Sequence, residues 1–212
     1  MTAEPTGFLY PFIESEERDA EALLADLGRS ALSKIAESHA VRAETLERCA
    51  TELLSAGRAM ADRFGRGGRL LAFGNGGSST DADSAVALFR DPPSGRPLPA
   101  LSLVDDRAVL TALANDIGFD VVFSRQLIAH GRDVDIAVGF STSGGSSNVL
   151  RAFEEAARRG MLTVGLAGYE GGAMLGAVDH CLVVRSQSIH RIQEAQDALM
   201  LRLWSVVQEA LP

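Results

Sequence analysis

Glycine, serine and asparagine gather at two places in this chain, Gly74-Asn75-Gly76-Gly77-Ser78-Ser79 and Ser141-Thr142-Ser143-Gly144-Gly145-Ser146-Ser147. Each run follows a short apolar segment and leads into a helical pattern. That placement puts bare backbone N–H groups and hydroxyls at the positive end of a helix, a setting that suits a phosphate or a polyhydroxylated ligand. Two such runs, about 67 residues apart, point to one sugar-phosphate site with contributions from both. Neither run suits a nucleotide. The sixth position from Gly74 is Ser79, where a dinucleotide fingerprint needs glycine, and neither run carries the lysine of a P-loop.

The elements that must hold these loops follow from the hydrophobic pattern. Residues 1–15 place Phe8, Leu9, Tyr10, Phe12 and Ile13 among Pro5, Gly7 and Pro11, an apolar arm expected to pack on a neighbour. From about Glu16 to Phe64 apolar residues recur at three- and four-residue spacing, as in two or three helices. Beyond Gly65-Arg66-Gly67-Gly68 the pattern alternates. Arg69–Phe73, Leu98–Val104, Asp133–Phe140, Leu162–Ala167 and Cys181–Val184 read as strands; Ser79–Arg90, 107–114, 119–130, Asn148–Arg159 and His190–Leu211 read as helices. Apolar strands alternating with helices predict a parallel sheet covered on both faces. The expected fold is therefore α/β, a three-layer αβα sandwich around a five-stranded parallel sheet. Residues 1–45 form an N-terminal arm and helical extension, and 46–212 the α/β domain. In such folds ligands bind at the carboxyl ends of strands, where both loops fall.

Composition narrows the function further. The formal charge of −8, with Lys34 the one lysine, argues against direct nucleic-acid binding, which needs clustered cations. Cys49 and Cys181 lack metal-finger or C-x-x-C spacing and read as buried free thiols. No secretory or membrane-spanning segment is expected, so the predicted location is cytoplasmic. His39, His130 and His180 are isolated in sequence and are given no chemistry. Trp204 and its leucine neighbours on the last helix read as packing residues.

Four segments together resemble the sugar isomerase (SIS) domain family, and within it the phosphoheptose isomerase branch: Leu71 to Asp83, Leu110 to Phe119, Ser141 to Val149 and Arg191 to Glu194. The resemblance covers roughly Leu46 to Leu211. It implies a homotetramer with active sites between subunits and a ligand such as sedoheptulose 7-phosphate. It implies Asn75, Gly76, Gly77 and Asp105 as sugar-binding positions, with Ser78 beside them, and Ser141, Thr142, Ser143 and Ser146 as the phosphate cradle, with Gln193 completing the set.

The same resemblance assigns the family's catalytic glutamate to position 88 and its histidine to position 201. Both are leucine here, and hydrocarbon neither accepts nor delivers the proton that aldose-ketose conversion must move. The divalent metal of some members loses those two ligands and a third, at Ser84, so no zinc or other cofactor is expected. Asp83, Asp105, His190, Glu194 and Asp197 are candidates for a relocated acid-base pair, while Asp81 and Asp83 read more simply as first-turn helix acids. Three functions follow. The first is a sugar-phosphate binder without the standard pair, the second an isomerase with relocated groups, and the third a tetrameric scaffold for a protein partner, of the kind a replication-initiator-associating relative provides.

Overall fold

The computed structural model describes residues 20–211. Its contacts divide the chain into two units, Met1–Glu37 and Ser38–Pro212. The apolar arm at residues 8–13 lies outside the described residues. Within the first unit, the opening of helix α1 (Ala20–Arg48) leaves Leu23, Leu24, Leu27, Leu32 and Ile35 exposed.

The second unit is an αβα sandwich. α1 ends there and, after a break at Cys49, α2 (Ala50–Gly65) follows. The alternating region then runs β1 (Leu70–Gly74), α3 (Gly77–Arg90), β2 (Ala100–Ser102), α4 (Arg107–Asp116), α5 (Val122–His130), β3 (Ile136–Ser141), α6 (Ser147–Arg158), β4 (Leu162–Gly168), β5 (His180–Val184) and α7 (Ile189–Ala210). All strands are parallel, in the order β2-β1-β3-β4-β5.

Alternation along each strand explains the layers. Leu70 and Ala72 of β1, with Ile136, Val138 and Phe140 of β3, face a core completed by α2, α3 and α7. Leu71 and Phe73 face the opposite core, with Phe123 and Phe153 from α5 and α6. Edge strand β2 is shorter than the predicted Leu98–Val104. Pro97 and Pro99 have no N–H to give a ladder, and the Pro99 carbonyl accepts from Leu70 N at 3.0 Å just as the strand begins.

The chain leaves β1 toward β2 on one side and returns to β3 on the other. The carboxyl ends of β1 and β3 therefore flank the switch point of the sheet, the crevice where open α/β folds take ligands. Both loops open into it. No helix among the described residues is long and apolar enough to cross a membrane.

Candidate functional site

The two loops are tied to each other across the crevice. Asn75 Nδ2 donates to Asn148 Oδ1 at 2.8 Å and Asn148 Nδ2 donates to Asn75 Oδ1 at 2.9 Å, a closed pair of amides. Asn148 is buried in the first turn of α6, so the first loop is held at the start of the helix that the second loop opens.

In the serine loop, buried Ser141 Oγ shares hydrogen bonds with Ser146 Oγ at 2.9 Å and Ser143 Oγ at 3.3 Å. Ser146 is the N-cap of α6, yet its side chain makes no cap bond. The positive end of α6 thus keeps backbone donors for an anion beside three converging hydroxyls. The loop is buttressed from behind: Gly168 N donates to the Thr142 carbonyl and Met174 N to the Gly144 carbonyl. Gly144 has φ +63, and a Cβ there would lie 2.0 Å from the Gly171 carbonyl oxygen. Only glycine fits that turn.

The first loop meets the last helix. A Cβ on Gly77 would lie 2.4 Å from the Gln193 amide nitrogen, so its absence lets Gln193 approach the backbone. Gln193 Nε2 then donates to Asp81 Oδ2 at 3.0 Å. Ser78 is buried at the same helix start.

Asp81 is the residue that sequence reasoning passed over. Helix α3 begins at Gly77 rather than Ser79, which moves Asp81 out of the first turn, where no acid stands, and onto the face toward α7. There it is 8% exposed and lines a cavity of about 170 Å³ with Ser84, Leu88, Asp197 and Met200. Burial pushes its carboxyl up to about 6; the Gln193 bond opposes this and the charge of Asp197 adds to it. Asp197, exposed at the rim, is also raised, by partial loss of water and by Glu194. The signal was present in the spacing, because 81, 84, 85 and 88 share one helical face.

The other candidates disperse. Asp83 accepts from Ser102 Oγ at 2.5 Å, and both line a separate cavity of about 580 Å³ with Asp105, at the end of β2. Glu194 accepts from Ser38 Oγ at 2.5 Å and pairs with Arg191, and these bonds hold it below the usual range. His190 is exposed in the first turn of α7, behind the Ser188 N-cap. His180, isolated in sequence, meets Glu52 at 2.7 Å. Leu201 is 53% exposed on α7.

Residues 35–168 match the SIS domain family. The chain belongs to the SIS domain family. Within it, this SIS protein is 38% identical to a phosphoheptose isomerase of Roseiflexus sp. over 185 residues, covering 86% of this chain and 94% of the relative. It is 39% identical to one from Rhodospirillum rubrum, covering 77% and 88%. The structure of phosphoheptose isomerase from Neisseria gonorrhoeae superposes with a TM-score of 0.81 at 34% identity, over 86% of this chain and 99% of that one. The Francisella tularensis phosphoheptose isomerase gives 0.80 at 31%, over 85% and 97%. The SIS domain here is thus of the phosphoheptose isomerase type, with its serine loop and glycine loop at the switch point of the sheet.

Proposed function

We propose that this SIS protein binds a sugar phosphate of the sedoheptulose 7-phosphate type across the two loops, without the acid-base pair used by phosphoheptose isomerases. The observation that carries the reading is the convergence of Ser141, Ser143 and Ser146 hydroxyls on the uncapped start of α6. Leu88 lines the cavity between α3 and α7, and Leu201 is exposed on α7. Asn75, Gly76, Gly77 and Gln193 border the same crevice and would meet the sugar. Asp105 opens on the neighbouring cavity and is the candidate for its far hydroxyls.

The residues do not suit a transition metal. Ser84, Leu88 and Leu201 offer no nitrogen, sulfur or carboxylate donor at the positions that the resemblance gives to the metal. The same reading takes the protein as a homotetramer with its sites between subunits, which would cover the exposed Leu201.

Calorimetric titration with sedoheptulose 7-phosphate and with unphosphorylated sedoheptulose tests the reading. Binding that requires the phosphate and is lost in the Ser141→Ala/Ser146→Ala variant is expected. Equal binding of both sugars, or none of either, would overturn it.

A further inference from the structure

The cavity between α3 and α7 contains chemistry that the two leucines do not explain. Asp81 is more than nine-tenths buried, accepts from Gln193 Nε2 at Oδ2 and lines the cavity. Leu88, at the position of the missing glutamate, and Met200 make one wall apolar, and Asp197 stands at the rim. Asp81 is buried against an apolar wall and Asp197 is more exposed, so the proton is favoured on Asp81. A volume of about 170 Å³ has room for the carbonyl end of a sugar, and Gln193, which donates to Asp81, also lies against Gly77 of the first loop.

We propose that Asp81 and Asp197 are a relocated acid-base pair for proton transfer on the sugar phosphate, resting on the binding reading above. The Asp197 carboxylate takes the proton from the hydroxyl-bearing carbon next to the carbonyl. The C–H electron pair becomes the carbon-carbon double bond, the carbonyl π pair moves to oxygen, and that oxygen takes the Asp81 proton. An enediol results. In the second half the Asp81 carboxylate removes the proton of the other enediol hydroxyl, and Asp197 returns its proton to the former carbonyl carbon. The ketose has become an aldose and both carboxyl groups are restored. Burial, by holding Asp81 up to about 6, favours the proton on Asp81 rather than on its exposed partner.

The test is solvent exchange, which reads proton removal even where net conversion is small. Full-length protein is incubated with sedoheptulose 7-phosphate in deuterium oxide, and deuterium at the carbon beside the carbonyl is followed by NMR, with binding measured by calorimetry and folding by circular dichroism. Wild-type protein is expected to exchange that proton. Asp197→Asn, at an exposed position, and Asp81→Asn are each expected to slow exchange about a hundredfold with binding retained. Wild-type protein that binds the sugar phosphate but exchanges nothing overturns this proposal and leaves the binding reading standing. Unchanged exchange in folded Asp197→Asn overturns it as well. Failure to bind the sugar phosphate at all overturns both.

Discussion

Gln193 on α7 and Asp81 on α3 are joined by a 3.0 Å hydrogen bond between residues 112 positions apart. The bond exists because Gly77, one turn before Asp81, has no side chain to occupy the place of the Gln193 amide. A single glycine of the first loop therefore fixes both the loop's contact with α7 and the environment of the most perturbed aspartate in the cavity.

Gly77→Ala is expected to displace the flexible Gln193 amide rather than unfold the protein, with a stability change under about 1 kcal/mol. Losing the Gln193 bond removes a contact that lowers the Asp81 carboxyl, so an NMR titration of Asp81 should move above its wild-type midpoint. An unmoved midpoint would show that the bond does not tune the group.

Asp81 also sets the sign of a pH dependence. Its carboxyl is raised from 3.8 to about 6 in the folded protein, so between those values the folded state binds more protons than the unfolded one. Its contribution to stability is fully present below about pH 4 and declines as pH rises through about 6, by up to about 3 kcal/mol. Urea unfolding across this window should show that decline in wild-type protein and lose it in Asp81→Asn.

Asp135 acts in the opposite direction. Fully buried before β3, it accepts from Arg69 N and Arg132 N at 3.0 Å and from the Arg132 guanidinium at 2.6 Å. Burial would raise its carboxyl, but the bonds from Arg132 and from the Arg69 and Arg132 backbone hold it below the usual range. Its stabilisation is present above about pH 4 and lost as pH falls through the depressed value. Asp135→Ala removes the acceptor of the Arg69 and Arg132 backbone N–H groups, while both guanidinium groups keep a backbone carbonyl partner, and is expected to cost about 1–3 kcal/mol in urea unfolding.

Asn148→Ala removes both bonds of the amide pair that ties the loops. A destabilisation of about 1–3 kcal/mol is expected, with weaker sugar-phosphate binding from the loosened first loop. Calorimetry on the folded variant checks the second effect.

The parallel sheet and both loops were legible because continuous apolar strands and glycine-serine runs are local signals. The ties between elements were not: Gln193 to Asp81, Glu194 to Ser38 and His180 to Glu52 join residues more than 100 positions apart. A helix start placed two residues late concealed the most informative of them, since it assigned Asp81 to the first turn of the helix instead of a cavity wall.

The most direct measurement is a crystal structure of the protein soaked with sedoheptulose 7-phosphate. The expected density places the phosphate among the hydroxyls of Ser141, Ser143 and Ser146 at the first turn of α6, with the sugar running toward Gly77 and Gln193. Phosphate density anchored elsewhere, with the serine loop empty, would contradict it.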